Sequence, residues 1–330
     1  MNVSELGEFA LIARLAAIAG TELPPADLIA GIGDDAAAWR VGDAVLLATT
    51  DTLVEGVHFL PEFAPWPDIG WKALAVNVSD IAAMGGEPLF ALVTLALPPE
   101  TDVAVSDDLY AGLMECAAEY GVTIAGGDIV RASEISITIA LIGRSQTQDG
   151  KPLLMRRDAA KAGDLVAVTG SLGDSAAGLW RLRKGATAED ALVRAHLRPL
   201  PRLAEAHEAA RLGVVCAIDV SDGLLQDLGH ICERSGLGAD VNEDFIPLSD
   251  DLRAAYPEDA LALATSGGED YELLITGDRE MLDRVADTIS TKLTVIGSMT
   301  EATEHKPRLL DTAGDERPVA VRGWDHLHSP

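Results

Sequence analysis

Several apolar or small-residue runs in this chain end on a carboxylate, and that recurrence limits what it can fold into. Asp51 closes "LLATTD", Asp128 closes "TIAGGD", and Asp219 and Asp222 close "CAIDVSD". Asp80 closes "AVNVSD", Asp34 and Asp35 follow "GIG", and Glu269 and Asp270 follow "SGG". Strand ends are where open α/β sheets bind ligands. Each acid also has an ordinary use. Gly and Asp are turn formers, and Asp80 and Asp222 suit helix N-caps worth about 1 kcal/mol. Such uses do not account for so many acids in one context. Carboxylates that converge in a low dielectric repel strongly and become tolerable around cations. Oxygen-only donors, with the Thr49 and Thr50 hydroxyls beside Asp51, suit Mg²⁺, which usually shares its shell with substrate phosphates. The acids therefore imply a nucleotide as well as a metal.

A length of 330 residues suggests two domains at about 150 residues each. Hydrophobic residues make up 48% and aromatics only 4%, so Ala, Val, Leu and Ile must fill the cores. The net charge of −28 argues against nucleic acid and anionic membranes as partners. It would also repel phosphates unless divalent cations intervene. Cys116, Cys216 and Cys232 form no CxxC pair, which points away from disulfides and thiolate metal sites and fits a reducing cytoplasm. The start "MNVSELGEF" lacks the basic and apolar regions of a signal peptide. No run reaches the ~18 apolar residues that span a bilayer. The expectation is a soluble, cytoplasmic protein.

Apolar spacing predicts helices over 5–19, 69–84, 105–120, 199–212, 223–235 and 279–289, and one starting at Ala176. Strands are expected over 44–50, 89–97, 122–128, 133–143, 164–170, 214–222, 270–277 and 291–297. The polar stretch "RSQTQDGKP" places a boundary near Lys151, dividing the chain into 1–150 and 151–330. The strand at 133–143 directly precedes another strand region, so mixed sheets are expected and not a purely doubly wound fold. Asn77-Val-Ser-Asp80 and Asp219-Val-Ser-Asp222 form a faint internal echo, each read as leading into a helix.

The chain has no GxxxxGK[ST] loop and no DFG or HRD set, which excludes a P-loop ATPase and a protein kinase. Its glycine-rich candidates are "AGGD" at 125–128, "TGSLGDSAAG" at 169–178 and "SGGED" at 266–270. Small residues let backbone amides approach phosphates, although the second candidate reads better as a structural turn. His58 in "GVHFLP" suits either an anionic substrate or an ordinary surface or core position. Arg157 in "LMRRDAAKAGD" suits a phosphate or an acidic partner. Trp324 in "RGWDHL" suits a pin for the tail or a stacking surface for a flat ring.

The ordered set "GEFALIARL", "GIGDDAA", "TTDTLVEGVHFLP", "KALAVNVSDIAAMGGEP", "AGGD", "VTGSLGDSAAGL", "HLRPLPRL", "AIDVSDGLLQDLGHI" and "SGGEDYELL" resembles the thiamine-monophosphate kinases. These belong to the superfamily related to aminoimidazole ribonucleotide synthetase, and the resemblance runs from Gly7 to about Trp324. It implies an α/β plus α+β fold: an N-terminal domain that binds ATP and Mg²⁺ and whose sheet pairs with its twin in a homodimer, then a C-terminal α+β domain. It implies transfer of phosphate from ATP, the co-substrate, to thiamine monophosphate, giving thiamine diphosphate. Carried over by motif, Asp35, Thr49, Thr50, Asp51, Asp80, Asp128, Asp219 and Asp222 look like ligands of several Mg²⁺ ions. Tyr110, Gly127, Asp128, Arg157 and Ser221 resemble ATP-binding positions, and His58, Glu269 and Trp324 resemble substrate positions. No side chain is assigned as a general base, because a phosphate monoester oxygen is already anionic. Direct in-line transfer without a phosphoenzyme is expected.

The chain departs from the family pattern twice. Ile129-Val130 stands where Thr-Thr often follows "GGD", and Leu327 stands where the tail usually has Phe. The rival readings are another ATP-dependent enzyme of the superfamily, of the purine-biosynthesis ligase type, and a non-catalytic acidic metal-binding module. A hydrogenase-maturation factor would need a C-terminal cysteine, and this sequence ends His328-Ser329-Pro330. The module reading finds no contiguous D-x-D-x-D-G loop.

Overall fold

The computed structural model describes residues 2–19, 26–319, 323 and 327. The helix expected over 5–19 is two pieces, α1 (Val3–Leu6) and α2 (Glu8–Ala19). The break falls at Gly7, whose φ of 83° leaves the helical region.

Next come β1 (Leu28–Ala30), β2 (Ala37–Val41), β3 (Ala44–Val54), α3 (Trp66–Ala83), β4 (Gly86–Leu97) and α4 (Val103–Tyr120). The first half ends with β5 (Thr123–Arg131), β6 (Ser136–Gln148) and β7 (Lys151–Leu153). These strands form one sheet, ordered β1-β2-β3-β6-β4-β5, with β7 added to β6. Only β4 and β5 pair in parallel, and α4 makes their crossover. The polar stretch near Lys151 is a hairpin. Asp149 and Gly150 take φ of 52° and 73°, the left-handed pair of a tight two-residue turn, and β7 folds back onto β6.

Residues 154–164 lead to the second sheet. That half contains β8 (Leu165–Thr169), α5 (Asp174–Leu182), α6 (Ala191–Leu197), α7 (Leu203–Arg211), β9 (Cys216–Asp219) and α8 (Leu224–Ser235). It continues with β10 (Gly238–Asn242), α9 (Asp250–Ala255), α10 (Ala260–Ser266), β11 (Leu273–Gly277), α11 (Arg279–Thr288), β12 (Leu293–Thr300) and β13 (Pro307–Leu310). The order is β13-β10-β12-β8-β11-β9, antiparallel except for β10 with β13. The expected mixed sheets are therefore present in both halves. Among the described residues no helix is long and apolar enough to cross a membrane.

Helix α3 is the joint of the molecule. It packs on the first sheet and on α4, and it also touches α7 and β9 of the second half. A helix covered on every side must be apolar on every side, and α3 buries Leu74, Val78 and Ile81 completely. The helix expected over 69–84 is therefore found, starting three residues earlier, and Asp80 lies inside α3 near its C-terminal end, so it is not the N-cap that its motif suits. Asp219-Val-Ser-Asp222 instead ends β9 and starts a turn, so the two echoes occupy unlike structures.

The approach of α3 to α4 depends on two glycines. A Cβ at Gly112 would lie 1.7 Å from the Pro67 carbonyl oxygen, and one at Gly70 would lie 1.9 Å from that of Leu109. Backbone touches backbone there, and a methyl group would force the helices apart. Gly112→Ala is expected to destabilise the protein by at least about 1–3 kcal/mol, read as a lowered midpoint in thermal or urea unfolding. An unchanged midpoint would contradict the crossing described.

Candidate active site

Three elements deliver carboxylates to the seam between the halves. Asp35 lies in the turn before β2, Asp80 on α3 and Asp219 at the end of β9. Their ligand oxygens all lie within 4.8 Å of one another. Neighbours hold them there. Thr49 Oγ1 donates to Asp80 Oδ2 at 2.5 Å, and Ser79 Oγ donates to Asp219 Oδ2 at 2.6 Å. The Asp51 amide donates to Asn77 Oδ1 at 3.2 Å, anchoring β3 to α3. Arg157 grips Asp35 with two donors, Nη2 at 2.6 Å from Oδ1 and Nε at 3.3 Å from Oδ2. It is also the partner of Asp34, whose Oδ1 accepts the Arg157 amide at 3.4 Å.

The electrostatics follow from this crowding. Burial, then repulsion by Asp51, Asp219 and Asp35, pushes the Asp80 carboxyl well above its ordinary range. Burial and the neighbouring Asp35 push Asp219 up to about 8. Burial and Asp35 push Asp34 up to about 6. One guanidinium does not balance the group, and the donors are all oxygens. That is the environment of a hard divalent cation.

The turn after β9 supplies the next residues. Asp227 on α8 accepts the amides of Ser221, Asp222 and Gly223 at 3.1, 3.1 and 3.0 Å. It ties down the helix entrance, so Asp222 is not the cap that its position suggests. Both Ser221 and Asp222 line a cavity of about 700 Å³ that lies between the halves. Asp51, His58, Asp80 and Glu269 line it too. His58 Nδ1 accepts the Val54 amide at 3.0 Å, which fixes the ring and leaves Nδ1 unprotonated.

Glu269 and Asp270 divide their roles. Asp270 turns away and accepts the amides of Gly173 and Ser175 at 2.7 and 3.2 Å, covering the start of α5. "TGSLGDSAAG" is accordingly a structural turn whose anion-binding end is filled by the protein's own carboxylate. Glu269 faces the cavity with φ of 68°. Its Oε1 lies 2.8 Å from Lys72 Nζ, and its Oε2 lies 3.3 Å from His196 Nδ1. Burial opposes its ionisation, yet the Lys72 ammonium overrides that and holds the carboxyl below its ordinary range.

Other candidate residues lie apart. Alternation along β3 puts Thr49 and Asp51 on the face toward α3 and Thr50 on the opposite, exposed face. Gly127 and Asp128 lie on β5, the sheet edge three strands from β3, roughly 14 Å away. That strand does not stop at Asp128 as expected but runs to Arg131, and Asp128 is exposed. Tyr110 on α4 packs against the first core. Trp324 lies outside the described residues. Lys72, Ser79, His196 and Asp227 escaped sequence reasoning. Lys72 alone left a trace: a single cation in the apolar run "IGWKALAV" demands a buried partner.

Comparisons with known proteins agree with this arrangement. Residues 33–145 match the model for the N-terminal domain of AIR synthase related proteins, and residues 161–309 match that for the C-terminal domain. The thiamine-monophosphate kinase of Escherichia coli O157:H7 is 40% identical, over 98% of this chain and 99% of that protein. That of Aquifex aeolicus is 34% identical, over 99% and 100%. A solved structure of AaThiL complexed with AMPPCP and TMP matches with a TM-score of 0.86 at 34% identity, covering 99% of each chain.

The raised carboxyls predict how the metal-free protein responds to pH. The folded state retains a proton on Asp219 up to about 8, whereas the unfolded chain releases it near the ordinary 3.8. Between those limits the folded state binds more protons, so this group's contribution to stability declines as pH rises. Asp219→Asn cannot ionise. Thermal unfolding in EDTA is therefore expected to show the wild type losing stability relative to Asp219→Asn from about pH 5 to about pH 8. Mg²⁺, which competes with the protons, should raise the wild-type midpoint most at the alkaline end. Parallel curves for the two proteins would refute the crowding.

Proposed function

The chain belongs to the AIR synthase related family, and from that premise we infer that it phosphorylates thiamine monophosphate with ATP, giving thiamine diphosphate and ADP. The observation that carries this is near full-length likeness to thiamine-monophosphate kinases, joined to a buried carboxylate cluster at the mouth of a cavity.

The acceptor is a phosphate monoester, whose oxygen is already a competent nucleophile. The obstacle is repulsion between two anions and their in-line placement. Asp35, Asp51, Asp80, Asp219 and Asp222 with Thr49 would hold Mg²⁺; Thr50, on the opposite face of β3, stands outside that set, and Asp128 lies apart on β5. The fit rests on the oxygens of Asp35, Asp80 and Asp219 gathered within 4.8 Å and on carboxyls driven upward by burial and then by one another. When bound, the metal neutralises charge on the phosphates and on the transferring group. The protein's own groups prepare the ground. Thr49 and Ser79 each fix one carboxylate oxygen, and Arg157 holds Asp35 from the opposite side. Arg157 keeps donors beyond that pair for ATP. Asp227 sets the turn that presents Ser221 to ATP and Asp222 to metal. His58, Glu269 and Trp324 are assigned to thiamine monophosphate. Transfer is direct, with no phosphoenzyme.

Tyr110, Gly127 and Asp128 belong to the ATP side, and their distance from the cavity is understandable in a homodimer. Edge strand β5 exposes Ile129 (74%) and Val130, and adjoining β4 exposes Phe90 and Leu92. A long apolar edge of this kind is a pairing surface. The three residues then lie on the seam with a second copy.

Chromatography of products from ATP, Mg²⁺ and thiamine monophosphate is expected to show thiamine diphosphate with equal ADP, lost in EDTA. Asp51→Ala should lower turnover by about a hundredfold or more while the protein stays folded. Wild-type turnover in that variant would sink the metal assignment. Ile129→Lys should shift the sedimentation coefficient from dimer to monomer, and a native monomer would overturn the seam.

A further inference from the structure

Lys72 belongs to the first half of the molecule, on α3, and is 4% exposed. Its ammonium nevertheless lies 2.8 Å from Glu269 Oε1, in the second half. The other oxygen of Glu269 faces His196 Nδ1, and Ser175 Oγ lies 3.1 Å from that same nitrogen. Lys72, His196 and Glu269 all line the cavity. Glu269 keeps a left-handed φ of 68° without being glycine, which persists only where the surroundings over-determine it. Its amide is held as well, donating to the Ser221 carbonyl at 2.7 Å. Backbone and side chain are thus fixed independently.

The charges decide what this fixed group is for. The same cavity carries Asp51, Asp80 and Asp222 in a chain of net charge −28. A Glu269 carboxylate whose charge nothing cancelled would strengthen a field that opposes any phosphorylated substrate. Lys72 cancels the charge of Glu269. His196, kept neutral by burial and by Lys72, adds none. What remains at this end of the cavity is an immobile hydrogen-bond acceptor with no net charge. Such a group is poorly suited to attract a bare cation. It is well suited to an aromatic ring that presents an N–H donor, such as the exocyclic amine of an aminopyrimidine.

We propose that Lys72 is a positioning residue for substrate recognition, neutralising and orienting Glu269 so that its carboxylate accepts a hydrogen bond from the aminopyrimidine of thiamine monophosphate. This rests on thiamine monophosphate being the acceptor. Lys72 acts through Glu269 and touches no reacting atom. It also couples recognition to the joint between the halves, since the pair spans them.

Steady-state kinetics with separate titrations of the two substrates tests this. Wild-type production of thiamine diphosphate is the control, and its failure would refute the functional reading and not the pairing. Lys72→Met leaves Glu269 uncompensated and should raise KM for thiamine monophosphate by about tenfold or more, with KM for ATP and kcat within about threefold. Lys72→Arg should restore it. The decisive variant is Lys72→Met combined with Glu269→Gln, which removes both charges together. It should match Glu269→Gln alone to within about threefold in KM for thiamine monophosphate. It also carries the test if Lys72→Met fails to fold. A double variant about tenfold worse than Glu269→Gln would mean that Lys72 meets the ligand itself. A folded Lys72→Met with unchanged KM would mean that the pair is structural. Either result overturns the proposal.

Discussion

Three carboxylates from three separate elements are pressed together in a largely buried seam, and nothing in folding alone rewards that. Asp35, Asp80 and Asp219 repel one another more strongly the less water there is to screen them. The molecule tolerates the arrangement by fixing each carboxylate with a neighbour. The donors Thr49, Ser79 and Arg157 are themselves placed by regular structure, on β3, on α3 and in the connection between the two sheets. The rest of the architecture can be understood as the scaffold that keeps this unfavourable cluster in register.

Helix α3 is central to that scaffold. Its first turns meet α4 at glycine contact distance, its middle carries Lys72 and Asn77, and its end carries Ser79 and Asp80. One buried cylinder thus aligns the ion pair to Glu269, the anchor of β3 and a member of the carboxylate cluster. A displacement of α3 would move all of these groups together. The catalytic geometry is for that reason inseparable from the packing of the two halves.

Much of this was legible in the sequence. The acids that follow apolar or small-residue runs point to Asp34, Asp35, Asp51, Asp80, Asp219, Asp222 and Glu269, which the structure gathers at the seam, and equally to Asp128 and Asp270, which lie at the sheet edge and at the start of α5. Strand and helix types followed from period and from turn residues. The failures have physical causes. Asp80 also suits an N-cap by its motif, because Asn-Val-Ser-Asp does not show on its own that the helix expected over 69–84 continues past it. The cap that Asp222 also suits is not formed, because local sequence does not show that Asp227 reaches back to the Asp222 amide. Thr50 was grouped with Thr49 because adjacency in sequence hides that neighbours on a strand face opposite ways. Lys72 and His196 carry no local motif, and their meaning arises only when the second half folds onto the first.

The start of α5 has one further consequence. Free amides at a helix entrance are the usual cradle for phosphate, and here Asp270 already occupies two of them. The molecule has closed its own ready-made anion socket from within. A phosphate group could take that place only by displacing Asp270, so the polyphosphate of the proposed reaction would be met instead by side chains gathered at the seam and by the divalent ions they would hold.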